Sequence, residues 1–278
     1  MPALKPVAVL GLTGLTLFIL IAIFAPWLAP FDPDKIVGAA WQAPDARLLL
    51  GTDNLGRDLL SRMIWGTRVS LGITLIATLL AFAAGCSLGF IAGLTGGWLD
   101  PLISRVNDMI MGVPTLIFAL IVLAVLPKTM ITLTLTLTLT LVLGLLESTR
   151  VLRVARSLAE EVGVMEFVDV ARLRGESMAW ILWRVVLPNV RQTLVAEFGL
   201  RFIFILLFLS ALSFLGLGIQ PPTADWGGLA RDNKDGILFG VWAALVPGVA
   251  IALLSLSINS VADWLMSAQT RRWGGAHG

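Results

Sequence analysis

Charged residues are scarce in this sequence of 278 residues, of which only 14% are Asp, Glu, Lys or Arg. Soluble domains contain about 25% of such residues, and here 57% of the chain is hydrophobic instead. This composition excludes an ordinary soluble domain and indicates a membrane protein. The formal net charge is +2, which is too small to create the strong positive field that attracts nucleic acids.

Residues suited to catalysis and metal binding are scarce as well. The single histidine, His277, is next to last, so neither a histidine-based catalytic triad nor a histidine metal site can be assembled. The phosphate-binding pattern G-x-x-x-x-G-K-[ST] is missing, so we do not expect the chain alone to hydrolyse ATP. The single cysteine, Cys86, lies in an apolar run and is expected to be a small buried hydrophobe. We therefore expect a chain that is not an enzyme and binds no metal or cofactor of its own.

Long uncharged runs are what the sequence has in abundance. Six stretches of 18 to 31 residues are free of Asp, Glu, Lys and Arg. A helix needs about 20 apolar residues to cross a hydrocarbon core of roughly 30 Å. The sequence therefore predicts an all-α membrane protein with six transmembrane helices. The six runs are residues 6–31, 69–99, 109–127, 129–146, 202–224 and 236–262.

The fourth run contains a segment, residues 132–141, in which Thr and Leu alternate. In water, this period of two favours a β-strand. In a membrane, a lone strand leaves its backbone groups unpaired, whereas a helix pairs them internally and lets each Thr hydroxyl bond to a carbonyl one turn back. We therefore predict a helix. The first run exceeds the 7 to 15 residues of a signal-peptide core, so we expect it to be retained.

The distribution of Arg and Lys predicts the orientation in the membrane. Segments that would be cytoplasmic if both chain ends were inside contain twelve of these residues, against eight in the segments that would be outside. By the positive-inside rule, the termini are expected in the cytoplasm. Five ionisable residues are expected at cytoplasmic helix ends, which argues against a proton-driven antiporter. They are Asp108, Glu147, Glu197, Arg201 and Asp263.

A polar loop, residues 165–188, lies between the apolar runs. Its pattern predicts a short helix from Glu166 to Leu173 that is stopped by Gly175. A second short helix is expected to be capped by Ser177, with Pro188 preventing it from continuing unchanged. A segment this small has no core of its own, so its apolar side chains must be buried against the membrane base or another protein. These side chains are Met165, Phe167, Val168, Trp180 and Trp183.

The spacing within the polar loop also carries a family resemblance. Asp169-Val170-Ala171, three residues, Gly175, nine residues and Val185-Val186-Leu187-Pro188 resembles the cytoplasmic EAA loop of ABC importer membrane subunits. The family pattern is Glu-Ala-Ala, x3, Gly, x9, Ile-x-Leu-Pro, so that Asp169 stands for Glu and Val170 for Ala. The resemblance implies that separate ATPase subunits dock on this loop. The residues implied are Glu166, Phe167, Asp169, Ala171, Arg172, Gly175, Leu187 and Pro188.

Two further stretches, here named the signature segments, resemble one subfamily of these importers. Residues 50–62, LGTDNLGRDLLSR, are similar to the LGTDxxGRDxxSR segment of the dipeptide, oligopeptide and nickel permeases. Residues 213–227, SFLGLGIQPPTADWG, are similar to the SFLGLGxxPPxxxWG segment of the same permeases. In the second, we expect the glycines to allow close helix packing and the two prolines to force the chain out of helix. The matching residues are Gly51, Thr52, Asp53, Gly56, Arg57, Asp58, Gly216, Gly218, Pro221, Pro222, Trp226 and Gly227.

The first signature segment admits a different interpretation, a calcium-binding loop built from Asp53, Asn54 and Asp58. The ligand spacing of such a loop and its closing glutamate are missing, however. Asp and Arg side chains that cap turns and helix ends are therefore the expected arrangement.

The resemblance covers roughly residues 45–265 and implies a type I ABC importer permease fold, similar to the second, C-type, member of a permease pair. It implies a multi-pass subunit of the bacterial inner membrane that takes up short peptides. The implied partners are a second, different permease, two ATPase subunits that bind ATP and Mg, an extracytoplasmic binding protein and membrane lipid. Nickel chelates, glutathione or opines remain alternative substrates.

A self-sufficient channel or secondary carrier is the alternative from another class, and such a protein should show intramembrane charges or inverted repeats. The expected organisation is an N-terminal helix with an extracytoplasmic segment (residues 1–68) and a five-helix core (69–278). The coupling loop is expected at about residues 150–190 of that core.

Overall fold

The computed structural model describes residues 6–125 and 132–274. Within these ranges the regular structure is helical, apart from two isolated β-bridges in the loop before the second helix. Short π and 3-10 segments cover Leu182–Val186, Lys234–Phe239 and Trp242–Ala244. The α-helices are α1 (Pro6–Leu28), α2 (Leu59–Thr95), α3 (Leu99–Met111), α4 (Thr115–Val125), α5 (Thr132–Gly163), α6 (Glu166–Leu173), α7 (Met178–Ile181), α8 (Leu187–Phe214), α9 (Trp226–Asn233) and α10 (Leu245–Gly274).

Four helical stretches are long and apolar enough to cross a membrane. They are Pro6–Leu28, Leu59–Thr95, Met178–Phe214 and Trp242–Ser267, and the bent pair formed by α3 and α4 would make a fifth. The fourth predicted run, residues 129–146, begins outside the described residues and continues into α5, which is not among these candidates. Six membrane spans therefore stay a prediction.

The third predicted run, residues 109–127, is not one straight helix. The structure breaks it between α3 and α4, whose axes differ by 78°. Pro114 explains the break, because it has no N–H to donate and disfavours the helical conformation at Val113. Helix α4 starts directly after Pro114, whose carbonyl accepts the Phe118 N–H at 3.0 Å.

The segment of alternating Thr and Leu residues is helical, as predicted, and belongs to α5. The Thr140 hydroxyl donates to the Thr136 carbonyl at 2.7 Å, which is the bond one turn back that makes Thr acceptable in a membrane helix. The helix also continues well beyond the apolar run and ends at Gly163, only two residues before the polar loop.

Three clusters of buried apolar residues hold the helices together. The first joins the middle of α2 and the first half of α5 to the last third of α8, together with Ala119 of α4. The second joins the end of α5 to α6, α7 and the start of α8, and the third joins α1, α2, α8, α9 and α10 around Trp226. The polar loop therefore packs on the second cluster, whereas the second signature segment contributes Leu217 and Ile219 to the first cluster and Trp226 to the third.

Candidate functional site

The first helix of the polar loop ends as the sequence predicts. Gly175 has a φ of 77°, in the left-handed region that glycine tolerates. Its N–H donates to the Arg172 carbonyl at 2.9 Å, and the Glu176 N–H donates to the Ala171 carbonyl at 3.2 Å. This pair of bonds is a Schellman motif, which satisfies carbonyls at the end of α6 and turns the chain toward α7.

The second helix starts as predicted and changes its geometry before Pro188. The Ser177 hydroxyl accepts the Trp180 N–H at 3.2 Å and caps α7. The helix then widens into a π turn, in which the Leu187 N–H donates to the Leu182 carbonyl. Because Pro188 lies in the first turn of α8, after this widened turn, its missing N–H does not interrupt the helical run. The second short helix, α7, is therefore present, and it continues into α8 through the widened π turn rather than unchanged.

One face of the loop is anchored on the helices behind it. Val168 and Ala171 of α6 are buried in the same cluster as Ile181 and Val186. Met165 and Leu187 are half-buried. The loop therefore has a fixed position relative to the ends of α5 and α8, although it is short.

The opposite face of the loop exposes large apolar side chains. The exposed fractions are 46% for Phe167, 39% for Trp180 and 67% for Trp183, and Val164 and Leu173 are exposed as well. The sequence analysis expected five apolar side chains of the loop to be buried against the membrane base or another protein. Of these five, only Val168 is buried within this chain. Exposed apolar patches of this kind mark interaction sites.

Charged groups surround the apolar face. Asp169 and Arg172 form an exposed ion pair at 3.6 Å, and Glu166 and Arg174 are also exposed, as is Pro188 at the start of α8. Beside the loop, a cleft of about 250 Å³ opens between the end of α5 and the start of α8. Its lining residues are Leu158, Glu161, Val162, Met165, Asn189, Val190 and Thr193.

The first signature segment is a compact turn built around Asp53, which is fully buried. One of its carboxylate oxygens accepts the backbone N–H of Arg57 at 2.9 Å, and the other accepts Arg57 Nε at 2.7 Å. Arg62, also buried, forms a second ion pair with Asp53 at 3.3 Å. The Asp58 carboxylate accepts the Ser61 N–H at 2.8 Å and caps α2. These are the capping roles that the sequence predicted.

The remaining residues of this segment complete the turn. The Thr52 hydroxyl accepts the Gln42 N–H at 2.7 Å and donates to the Ala39 carbonyl at 2.6 Å. Gly51 and Gly56 donate their N–H groups to carbonyls within the loop. The segment is thus a rigid support for the start of α2.

In the second signature segment, α8 ends earlier than the prolines suggested. The helix ends at Phe214, where Gly216 has a φ of 84° and the Leu217 N–H donates to the Leu212 carbonyl at 2.9 Å. This is again a Schellman motif, so a glycine, and not the Pro221-Pro222 pair, ends the helix. The backbone at Gly218 lies close to Ser213, whose hydroxyl accepts the Ile219 N–H at 3.2 Å.

Trp226 brings several helices together at this end of the molecule. Its side chain is fully buried, and its ring meets that of Phe18 edge-on with 5.7 Å between centroids. Its backbone N–H donates to the Ser70 hydroxyl of α2 at 3.1 Å. The next residue, Gly227, lies against the backbone of Ser210 in α8. Helices α1, α2 and α8 therefore all contact the start of α9.

Two polar residues that the sequence analysis missed complete this arrangement. Asp225 caps α9 by accepting the N–H groups of Gly227 and Gly228, and burial raises the pKa of its carboxyl to about 6. At the other end of α9, the Asn233 side chain accepts the Asn54 N–H at 3.0 Å and so joins the first signature segment to the helix that starts in the second. The role of Asp225 could have been predicted from the sequence, because Asp is a favoured residue directly before the start of a helix.

The sequence predicted that five ionisable residues lie at helix ends. Three of them do not. Glu147 lies near the middle of α5 with a buried side chain, and Glu197 and Arg201 lie within α8 with half-buried side chains. Asp263 lies within α10, and Asp108 is exposed on α3. The predicted end positions were wrong because ion pairing inside the bundle lets charges sit away from water. They therefore give no argument against proton-driven transport.

Comparisons with known proteins agree on one family. The model of the binding-protein-dependent transport system inner membrane component matches residues 85–275, and that of the N-terminal transmembrane domain of oligopeptide transport permease C matches residues 5–49.

Individual relatives span nearly the whole chain. The chain is 35% identical to the di/tripeptide transport system permease protein DppC of Pseudomonas aeruginosa, with 93% of this chain and 86% of the relative covered. It is 35% identical to the dipeptide transport system permease protein DppC of Alkalihalophilus pseudofirmus, with 94% and 84% covered. Among solved structures, a crystal structure of an amino acid ABC transporter with histidines is 21% identical. The match covers 77% of this chain and 98% of the chain in that structure, with a TM-score of 0.47.

Proposed function

Because the chain belongs to the family of binding-protein-dependent transport system inner membrane components, we propose that it forms half of the translocation path of an ATP-driven importer. A second permease, different from this one, supplies the other half in the proposal. Two ATPase subunits hydrolyse ATP on the cytoplasmic side, and an extracytoplasmic protein delivers the substrate. The bacterial inner membrane is the proposed location.

The observation that best supports this proposal is the uncovered apolar face of the polar loop. Phe167, Trp180 and Trp183 are exposed on a loop whose other face is fixed in the bundle. An ATPase subunit would bury these side chains, and the charged rim would set its orientation. Because α5 leads into the loop and α8 leaves it, movement of the ATPase pair would be passed to both helices. Glu166, Asp169, Ala171, Arg172, Gly175, Leu187 and Pro188 complete the proposed coupling site.

The proposed orientation places both chain ends and the polar loop in the cytoplasm. The bond between Asn54 and Asn233 joins the loop before α2 to the end of α9, whereas the polar loop lies at the other end of α8. The excess of Arg and Lys on the side of the polar loop is the ground for placing that side in the cytoplasm. Reporter enzymes that work only in the cytoplasm should be active when fused after Gly163 or after His277, which is outside the described residues. Export-dependent reporters should be active after Ala43 or Asn233.

An accessibility control would expose an error in this orientation. In a Cys86→Ser background, a membrane-impermeant thiol reagent added from outside should not label Glu161→Cys. Labelling in intact cells would place the polar loop outside and contradict the orientation.

Short peptides are the proposed substrates. The relatives at 35% identity are named as dipeptide or di/tripeptide permeases, and this is the ground for the assignment. Proteoliposomes containing the whole transporter and its binding protein should take up a labelled dipeptide, and unlabelled di- to octapeptides should compete. Uptake of a nickel chelate, glutathione or an opine that these peptides do not inhibit would assign one of the alternative substrates instead.

A further inference from the structure

A network of ion pairs around the buried side chain of Glu147 connects the two helices on either side of the polar loop. Arg201 of α8 donates from Nη1 to Glu147 of α5 at 3.2 Å, and its Nε lies 2.7 Å from a carboxylate oxygen of Glu197. Glu147 is also paired with Arg150. The side chains of Glu147, Glu197 and Arg201 are 7%, 13% and 14% exposed. Charges this well buried inside a membrane protein are costly and usually functional.

Uncharged residues and aromatic rings lie beside the network. The face of α2 that packs beside it belongs to a run, residues 69–99, with no charged residue. Phe82 of α2 contacts Phe198 of α8 with 5.1 Å between ring centroids, and the Arg201 guanidinium lies 4.9 Å from the Phe204 ring centroid. Within the described residues, the other charged groups paired with Glu147 and Arg201 are Arg150 and Glu197.

The pairing scheme distinguishes this network from an ordinary buried salt bridge. Breaking a buried pair normally leaves an uncompensated charge, which is strongly destabilising. Here each helix keeps a neutralised pair of its own, because Glu147 retains Arg150 in α5 and Arg201 retains Glu197 in α8. The contact across the helices can therefore open without leaving Glu147 or Arg201 unpaired.

We propose that Glu147 and Arg201 form a releasable latch between α5 and α8, which opens and closes as the transporter changes conformation. The latch rests on the proposed function, since both helices are joined directly to the loop on which the ATPase would act. When the latch is closed, α5, the polar loop and α8 move as one unit. When it is open, α8 can carry the second signature segment away from α5. Glu147 and Arg201 are thus positioning residues for transport.

The first test measures the separation of the two helices without any need for ATPase activity. Spin labels are placed at Leu145 and Leu207, which are exposed on α5 and α8, in a Cys86→Ser background and in lipid nanodiscs. Glu147→Gln should lengthen the distance between the labels, whereas Arg201→Lys, which keeps the positive charge, should leave it close to that of the wild type. An unchanged distance in Glu147→Gln would overturn the latch.

The second test measures uptake per ATP hydrolysed in the reconstituted transporter. Glu147→Gln should lower this ratio about tenfold, because it removes one charge-assisted hydrogen bond between α5 and α8. The amount of copurified ATPase should stay the same. The matched control is Asp108→Asn, which removes the exposed ion pair between Asp108 and Arg153 and should leave the ratio unchanged.

The two tests separate failure of the latch from failure of the proposed function. An unchanged ratio in Glu147→Gln, even with a longer label distance, would show that the pair only supports the fold and would overturn the latch. An absence of ATPase in the wild-type preparation would contradict the proposed function, while the label distance would still decide whether the contact holds the helices together.

Discussion

Replacing Gly175 by Leu is expected to reduce the amount of ATPase that copurifies with the chain by about tenfold, which corresponds to 1.4 kcal/mol of binding free energy. Gly175 has a φ of 77°, a conformation that costs most other residues about 1 kcal/mol. Apart from its two chain neighbours, no heavy atom of the described residues lies within 4 Å of a β-carbon added at this position. The Leu side chain therefore points into the space where the partner is proposed to bind, and membrane insertion should be unaffected.

Gly175→Asn is the matched control, because Asn tolerates the left-handed conformation and has a shorter side chain than Leu. It should retain most of the copurified ATPase and most of the ATP hydrolysis that the loaded binding protein stimulates. Both quantities are measured on the detergent-purified complex at equal expression. If the Leu variant assembles and hydrolyses ATP like the wild type, the polar loop is not the docking site.

Replacing Gly227 by Ala is expected to destabilise the whole chain. A β-carbon at Gly227 would lie 2.3 Å from the Ser210 carbonyl oxygen and 2.7 Å from the Ser210 Cα, so α9 must move away from α8. Overpacking of this kind costs about 1–3 kcal/mol, and here backbone atoms cannot turn aside as a side chain can. The temperature of unfolding in detergent should therefore fall by several degrees.

The control for this substitution is Gly72→Ala in α2, where an added β-carbon meets nothing within 4 Å. Ala favours a helix over Gly by about 1 kcal/mol, so this variant should unfold at or above the wild-type temperature. Equal unfolding temperatures for the two variants would mean that α9 does not pack against α8 as closely as described.

Local signals in the sequence predicted the parts of the polar loop that depend on neighbouring residues. The stop at Gly175 and the cap at Ser177 are made by atoms within a few positions, so the residue types alone indicate them. The path of the chain at Pro188 is different, because the π turn before it is held by packing against α5 and α6. No short-range pattern in the sequence encodes that packing.

The buried charges were misplaced for a related physical reason. A charge marks a helix end only if it must reach water, and Glu147, Glu197 and Arg201 neutralise one another inside the bundle instead. Which carboxylate meets which guanidinium depends on how α5 and α8 pack. The bend after α3 had a visible cause in Pro114, but a search for uncharged runs alone does not detect it.

The pairing of the two signature segments likewise required the three-dimensional structure. Asp225 is separated in sequence from the segment around Asp53 by more than half of the chain, and Asn233 joins the two by a single bond to Asn54. The motifs indicated that both segments matter to the family, whereas only the fold shows that they support the same end of the molecule.

The central claim is that this chain transports solute only as part of an ATP-driven assembly. The most direct measurement is the uptake of a labelled dipeptide into proteoliposomes that contain this chain with its partner permease, with and without the ATPase subunits. The binding protein and ATP are present in both cases, with ATP on the side of the polar loop. We predict uptake only when the ATPase subunits are present and ATP is hydrolysed. Uptake of equal rate in their absence, driven by a proton or solute gradient, would show that the chain belongs to a self-sufficient carrier and contradict the account.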